Sequence, residues 1–365
     1  MNEKPPDYRF FITASRKTVI VLMYLGLMSF FFYVPLLLDS CGSHKTLNVC
    51  AFTETFSPEA IARFEQKTGV KVNLTYVELD EQISAKSKID GLKGYDVVNV
   101  SDFMVQILRM QGLLQEMNRD HISCLPHINK MLLDREYDRQ NNYSVPHKWF
   151  IYGIIYDKNF FTQDPGSMSL DLVFKDPATF VRSGVAKQPY KICMLDSPND
   201  SFFLAALYLF GHADGLSEVD YGKIKKTLVA QKQWVECYTL YTVEYFLLAN
   251  IVPIAITSSN FAQKIIRYDN RFGFAVPREG GVLVVENLVI PACSKNKEMA
   301  YQFINFMLSE EIARLNSSTY GWASAHENVG FVSIDEQLMR RLYIPLFEPS
   351  TRARIDDIWL EVECA

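Results

Sequence analysis

An uncharged, largely apolar run covers residues 18–38 of this 365-residue chain. As a helix, a run of this length can cross a hydrocarbon layer of roughly 30 Å. Arg9, Arg16 and Lys17 precede the run, and positive charge at one end of such a helix keeps that end in the cytoplasm. We therefore predict that residues 1–41 are a signal or anchor segment and that the rest is exported. A buried core helix is the alternative, although such helices rarely run this long without a charge.

A cysteine follows the apolar run directly. Leu38-Asp39-Ser40-Cys41 resembles a bacterial lipobox, in which the cysteine is lipidated and becomes the new N-terminus. Asp39 is unusual in such a motif. Three outcomes stay open: lipidation of Cys41, an uncleaved anchor helix, or a conventional cleaved signal. Each of them places the body of the protein in the periplasm or outside the cell, and the first two tether it to the membrane.

The composition of the chain limits its function classes. With 48% hydrophobic and 22% charged residues, it has the balance of a globular protein, and its length suits two domains of roughly 150 residues. A net charge of −5 offers no basic surface for a phosphate backbone, so we expect no nucleic-acid partner. Six cysteines besides Cys41 permit disulfides in an exported protein, but their spacing does not fix the pairing. Because GxSxG, HExxH and CxxC are absent from the sequence, we expect no enzyme, metal or cofactor.

The first half of the body alternates between strand and helix patterns. The predicted strands lie near residues 47–51, 70–76 and 95–100. One predicted helix starts after Ser57, and a second covers residues 80–89. This order predicts a parallel sheet with helices on both faces. Ligands bind such sheets beyond the carboxyl ends of the strands, which here are the loops at residues 52–57 and 99–104.

A second cycle of strands and helices begins after Pro146. The predicted strands cover residues 150–156, 191–195, 251–256, 272–276 and 282–285, and the predicted helices cover residues 201–210 and 297–315. Two lobes, each with its own strands and joined by more than one crossover, are the architecture that this order favours.

Several segments, taken in order, resemble the bacterial spermidine/putrescine-binding proteins over residues 47–330. They include Phe52-Thr53-Glu54, Gly94-Tyr95-Asp96-Val97-Val98, Tyr143-Ser144-Val145-Pro146 and Glu286-Asn287-Leu288-Val289-Ile290-Pro291. The resemblance implies an α/β protein with the two-lobe, type II periplasmic-binding fold and a ligand cleft between the lobes. Lobe 1 would comprise residues 42–147 with 285–320, and lobe 2 residues 148–284 with 321–365. It also implies a hinged protein that passes a small cationic ligand, a polyamine, to the permease subunits of an ABC importer.

The same resemblance implies a set of ligand-binding residues. A polyamine carries separated ammonium groups on an apolar chain, so its site needs carboxylates and aromatic faces. The residues carried over by position are Phe52, Thr53, Glu54, Ser101, Phe103, Asp200, Glu286 and Trp322. Ser197 stands where the family has an acid, and Thr257 and Val284 stand where it has tryptophans.

Some of these residues also have structural interpretations. Glu54 and Asp200 suit solvated helix starts, where acids are favoured, and the three aromatic residues suit a core. Glu286 differs because it interrupts an apolar run from Val282 to Pro291. A lone acid in such a run needs a partner, which favours a ligand or hinge role.

Other ligands and functions remain open. Iron-binding proteins of the same fold use clustered tyrosines, and Tyr190, Tyr238, Tyr241 and Tyr245 are the candidates here. The last three follow helical spacing, which favours a packed face instead. A basic amino acid or another amine is a further alternative ligand, and a tethered sensor that signals without transport is an alternative function. The final 35 residues match the family poorly, so their role is undetermined.

Overall fold

The computed structural model describes residues 23–24, 27–28, 45–162, 168–329, 336–346 and 349–365. Most of the predicted anchor segment and Cys41 lie outside these residues. A search of the described helices finds none that is long and apolar enough to cross a membrane. By its contacts the chain divides into a small unit, residues 1–46 with 69–71, and a large unit that holds the remainder. The site described below lies wholly in the large unit.

The first half of the body has the predicted alternation of strands and helices. Its elements are β1 (Thr46–Phe52), α1 (Pro58–Thr68), β2 (Lys71–Val77), α2 (Asp80–Asp90), β3 (Val97–Ser101) and α3 (Asp102–Met110). The Ser57 hydroxyl accepts a hydrogen bond from the Ala60 amide at 3.1 Å, which confirms the predicted start of α1. Ala60, Ile61 and Phe64 are its buried face. Short 3-10 turns then connect α3 to the next strand.

The second half begins with the longest strand. Its elements are β4 (Ser144–Asp157), α4 (Asp171–Phe174), α5 (Ala178–Arg182), β5 (Ile192–Met194), α6 (Pro198–Phe210), α7 (Glu218–Gln231), β6 (Val235–Tyr238), α8 (Val243–Leu248), β7 (Ile254–Ser258), α9 (Ser259–Tyr268) and β8 (Phe272–Ala275). A strand was predicted to start at residue 251, but β7 starts three residues later, at Ile254. The amides of Ile251 and Val252 instead donate hydrogen bonds to the Phe246 carbonyl and end α8.

The chain then returns through a second long strand. The last elements are β9 (Gly281–Val289), α10 (Lys297–Met307), α11 (Glu310–Tyr320), β10 (Ala323–Ser324), α12 (Glu336–Met339), β11 (Leu342–Tyr343) and α13 (Pro349–Cys364). The single helix predicted for residues 297–315 is wrong, because Ser309 is extended, with φ −65° and ψ 146°. Glu310 and Glu311 follow it in the first turn of a new helix, where acids are favourable.

The strands join in the order β2-β1-β3-β9-β4-β7-β5-β6, with β8 and β10 beside β4 and β11 beside β9. Parallel pairing is found between β1 and β3 and around β5, whereas β9 runs antiparallel to both β3 and β4. The parallel pairing of β1 with β3 agrees with the parallel sheet predicted for the first half, and β9 adds an antiparallel neighbour to it. β4 and β9 lie side by side, from Ser144 opposite Val289 to Tyr152 opposite Val282. We call these two long strands, which stand between β2-β1-β3 and β7-β5-β6 in the sheet, the crossover strands.

The C-terminal helix belongs to the body. Ile355, Ile358, Trp359 and Val362 of α13 are buried in the same apolar core as Phe202 of α6. The Trp359 ring also packs edge-on against Tyr238, with ring centroids 5.4 Å apart. The role that the sequence left open for the final residues is therefore, in part, to complete this core.

Candidate functional site

A cleft of about 1010 Å³ opens beside the two crossover strands. Its walls come from the loops after β1 and β3, from β4 and β9, from the start of α6 and from α13. All eight predicted ligand residues line it: Phe52, Thr53, Glu54, Ser101, Phe103, Asp200, Glu286 and Trp322. Their contact with a ligand stays a prediction, but the structure brings them to one cavity.

The floor of the cleft carries a buried ion pair. Glu286 on β9 has Ser101 of β3 and Lys148 of β4 as its cross-strand neighbours. Lys148 Nζ lies 3.1 Å from Glu286 Oε1, and both side chains are less than a tenth exposed. Burial raises the pKa of Glu286, and the Lys148 ammonium counteracts that rise. The partner that this acid requires is thus supplied by the chain itself.

A hydroxyl group, an indole ring and an amide surround this pair. Lys148 Nζ also lies 3.4 Å from the Thr55 hydroxyl and 5.8 Å from the centre of the Trp322 ring. The Trp322 indole donates to the Glu54 carbonyl at 3.0 Å, which fixes the ring on the wall. Glu286 Oε2 is fully buried, and the Glu286 carboxylate also has a side-chain hydrogen bond with Asn99.

Three carboxylates form an acidic cluster: Asp80, Asp102 and Asp200. Asp80 accepts a hydrogen bond from the Ser101 amide at 3.4 Å. Asp102 accepts from the amides of Phe103 at 2.7 Å and Val285 at 3.0 Å. These bonds attach the start of α2 to β3 and the start of α3 to β9. Asp80 and Asp102 therefore both lie at the end of β3.

Asp200 completes the cluster from the first turn of α6. It accepts hydrogen bonds from the Ser197 hydroxyl at 2.7 Å and from the Tyr152 hydroxyl of β4. Ser197, which stands where the family has an acid, thus caps α6 and orients Asp200. The helix-start interpretation of Asp200 and the ligand interpretation are both compatible with this position.

Burial raises the pKa of all three acids, to about 7 for Asp80, about 8 for Asp102 and about 6 for Asp200. Asp80 and Asp200 also add to the rise of the Asp102 pKa through like-charge repulsion. Within the described residues, none of the three makes an ion pair with a lysine or arginine. A cationic group in the cleft would offset the cost of burying the charged carboxylates and would reduce their mutual repulsion. The cluster therefore suits an ammonium.

The rim of the cleft carries contacts between distant segments. Glu54, with φ 60°, forms an ion pair with Lys264 of α9. Arg352 of α13 lies 2.8 Å from Glu81 of α2, and the Tyr241 hydroxyl donates to the Glu78 carbonyl at 2.8 Å. Two of the rim acids are therefore already paired with cations of the chain.

Several lining residues were missed from the sequence: Asp80, Asp102, Lys148, Tyr152, Arg352 and Trp359. Lys148 had a signal, since it is a charged residue beside the apolar run of β4, just as Glu286 is one within β9. Of the two positions where the family has tryptophans, Val284 lines the cleft and Thr257 does not. The aromatic wall is correspondingly reduced to Phe52, Phe103, Trp322 and their neighbours.

The four candidate tyrosines do not gather in the cleft. Only Tyr241 of the four lines it, and the Tyr190 hydroxyl donates to the Leu172 carbonyl in the core. The helical interpretation of residues 238–245 is wrong, because Tyr238 ends β6 and Tyr245 lies in α8. This arrangement gives the iron alternative no support.

Known binding proteins are similar to this chain in sequence and in fold. The putrescine/cadaverine-binding protein of Pseudomonas aeruginosa is 28% identical over 70% of this chain and 73% of its own length. A spermidine/putrescine ABC transporter substrate-binding protein from Streptococcus pneumoniae superposes with a TM-score of 0.73 and 22% identity, over 88% of this chain and 99% of that one. A lipoprotein of Treponema pallidum superposes with a TM-score of 0.75 and 19% identity, over 87% and 99%.

These similarities confirm the predicted two-lobe periplasmic-binding fold. The model of one family, described as bacterial extracellular solute-binding protein, matches residues 59–330. That family binds solutes, which confirms the expectation of a binding protein instead of an enzyme. By this match, the chain belongs to the bacterial extracellular solute-binding proteins.

Proposed function

We propose that this chain is the extracytoplasmic substrate-binding component of an ABC importer and that its cleft captures a small cationic solute of the polyamine class. The acidic cluster of Asp80, Asp102 and Asp200 is the observation that carries the proposal. Asp102 is buried, Asp80 and Asp200 are half-buried, and none of the three has a lysine or arginine partner among the described residues. The relatives' names, which mention putrescine, cadaverine and spermidine, indicate which amines to test first.

Aromatic side chains support the same ligand class. Phe52, Phe103 and Trp322 line the cleft together with the acids, and such faces attract ammonium groups and pack against methylene chains. A ligand that touches residues on both sides of the cleft would favour a closed form, because only differential binding shifts such an equilibrium.

Transport and sensing can be separated by measuring uptake in cells. Deletion of the gene should abolish accumulation of radiolabelled putrescine or spermidine, and the wild-type gene should restore it. Restoration by an Asp200→Asn variant should be strongly impaired. Binding by the purified protein without any effect on uptake would instead favour a tethered ligand sensor.

We further propose that the mature protein is tethered through its N-terminal segment or through lipid on Cys41, and that the lobe boundaries are those given above. The basic flank and the uncharged run of residues 18–38 support tethering, and one structural relative is itself a lipoprotein. Cells labelled with radioactive palmitate should yield a labelled membrane-bound protein. A Cys41→Ala variant should lose the label; a soluble wild-type protein would contradict tethering.

A further inference from the structure

Two cysteines lie opposite each other on neighbouring strands of the sheet. β5 and β6 run parallel, and Cys193 of β5 is the cross-strand partner of Cys237 of β6. Neighbouring strands lie about 4.8 Å apart, and a disulfide joins Cα atoms that are roughly 4.4–6.8 Å apart. Among the six cysteines that the structure describes, no other two lie on paired strands. The strand pairing therefore brings this one pair within the distance that a disulfide spans.

An irregularity in β6 creates the pairing. Ile192 of β5 pairs with Val235 of β6. The next residue of β5, Cys193, pairs with Cys237, so Glu236 is an extra residue in β6. Such a bulge sets two residues of one strand opposite one residue of the other. Without it, Glu236 would stand opposite Cys193, and the two thiols would not be neighbours.

Both cysteine side chains face the same core. Cys193 is buried in a cluster with residues of β7, β8, α8 and α9, and Cys237 packs against that cluster. Burial raises the pKa of the Cys193 thiol to about 12, and the Cys237 thiol adds to that rise. Both residues are free thiols in the structure. The Cys237 thiol donates to the Tyr238 carbonyl at 3.3 Å, and this bond is easily given up because a thiol is a weak donor.

The pair lies directly before two segments of the cleft wall. β5 leads to the start of α6, which carries Asp200, and β6 leads to Tyr241; both residues line the cleft. β6 is the last strand of the sheet, with β5 as its one neighbour. The Thr239 amide extends that contact by donating to the Met194 carbonyl at 2.8 Å. A covalent link between β5 and β6 would therefore fix the two wall segments relative to each other.

We propose that Cys193 and Cys237 form a disulfide in the exported protein, and that this bond fastens the edge strand β6 and the cleft wall after it to the sheet. Disulfides form and persist in the oxidising compartments outside the cytoplasm. The partly exposed Cys237 attacks an external disulfide and releases one thiol, and Cys193 then displaces the second thiol. The protons and electrons of the two cysteine thiols thereby pass to the external disulfide, which becomes two thiols. The inference depends on export of the body and not on which ligand binds.

Mass spectrometry tests the linkage. The full chain is exported by bacterial cells with its own N-terminal segment, and its free thiols are alkylated before any reduction. We expect the peptides that contain Cys193 and Cys237 to be joined, and to become alkylated only after reduction. If both residues are alkylated without reduction, or if either is joined to a different cysteine, the proposal is overturned.

Thermal unfolding with and without a reductant tests the role of the bond. Reduction should lower the midpoint of the wild type by about 5–10 °C, because the link restricts the unfolded chain. It should also speed hydrogen exchange at the Thr239 amide. Cys237→Ala should show no response to the reductant. Cys124→Ala is the matched control, since Cys124 is buried but lies outside the strands, and it should respond as the wild type does.

The outcomes are independent of the proposed function, which fails if no amine binds. A wild-type midpoint that does not respond to reduction would overturn the role of the bond in fastening β6. A response that persists in Cys237→Ala would show that another disulfide is responsible, and it would likewise overturn the proposal.

Discussion

At the scale of single residues, three buried or half-buried carboxyl groups determine the charge of the cleft. Asp80, Asp102 and Asp200 have pKa values raised to about 7, 8 and 6, so protons compete with a cationic ligand for them near neutral pH. Neighbouring charges include Glu81, whose partner is Arg352, and Glu286, whose partner is Lys148. The protonation of these three acids, and with it the charge of the cleft, therefore depends on pH within the physiological range.

We expect the affinity for an amine to rise as the pH rises from about 6 to about 8, with protons released on binding. The sign follows because the raised pKa values leave these acids partly neutral in the free protein, while a bound ammonium favours their charged form. Calorimetry in two buffers of different ionisation enthalpy measures the released protons, and Asp200→Asn should reduce their number. Binding without proton release at about pH 7 would contradict the cluster's role.

The same shifts predict the pH dependence of the ligand-free fold. A carboxyl whose folded-state pKa is raised stabilises the fold below its unfolded pKa of about 4, and that contribution is lost as the pH rises through its folded pKa. The thermal midpoint of the ligand-free protein should therefore fall between about pH 5 and about pH 8. An Asp102→Asn variant should show a smaller fall, and a wild-type midpoint that rises over this range would contradict the shifts.

The ion pair of Lys148 and Glu286 should matter for folding as well as for binding. Glu286→Gln leaves the Lys148 ammonium buried without a counter-charge, and breaking a buried pair in this way costs about 3–5 kcal/mol of unfolding free energy. Lys148→Met with Glu286→Leu removes both charges and should recover most of that loss. Denaturant unfolding of the wild type and these variants provides the comparison. A single variant as stable as the wild type would show that the pair is solvated.

At the scale of elements, α13 contributes to the cleft as well as to the core. Its Arg352 reaches Glu81 of α2 at 2.8 Å, whereas Arg354, two residues later, pairs with Glu218 of α7. Of these two arginines, Arg352 lines the cleft and Arg354 does not. The two arginines thus allow the helix's effect on the site to be separated from its effect on the fold.

Arg352→Met should increase the association rate of a cationic ligand and make that rate more sensitive to salt. The variant adds one net negative charge to the cleft, and charge of opposite sign accelerates the encounter with a ligand. Arg354→Met changes the total charge equally but outside the cleft, so its effect should be much smaller. Stopped-flow measurements at several ionic strengths give both rates. Equal rates for the two variants would indicate that Arg352 does not influence ligand entry.

At the scale of elements, part of the site could be predicted from the sequence and part could not. The loops after β1 and β3 were predictable, because each follows an alternating or buried strand and carries polar residues at its end. The neighbours of Glu286 were not, because periodicity shows which residues form a strand but not which strands become adjacent. Ser101, Lys148 and Glu286 lie far apart in the chain and meet only through the order β3-β9-β4. Ser309, likewise, breaks an apolar pattern that continues across it.

At the scale of the whole molecule, the two crossover strands stand between the two halves of the sheet and also line the cleft. Asp102 follows β3 in one half, and Asp200 lies in the helix after β5 in the other half. A ligand held by both acids would touch both halves. We expect it to shift the protein toward a closed form, and small-angle X-ray scattering should show a smaller radius of gyration with ligand.

The most direct test is a thermal-shift titration of the purified full chain against putrescine, cadaverine, spermidine, basic amino acids and ferric citrate. A ligand that binds only the folded state must raise the unfolding midpoint in a saturable way. We predict such a rise with at least one of the amines and its loss in an Asp200→Asn variant that still folds. A response to ferric citrate alone, or an amine response that Asp200→Asn leaves unchanged, would contradict a cation site at the acidic cluster.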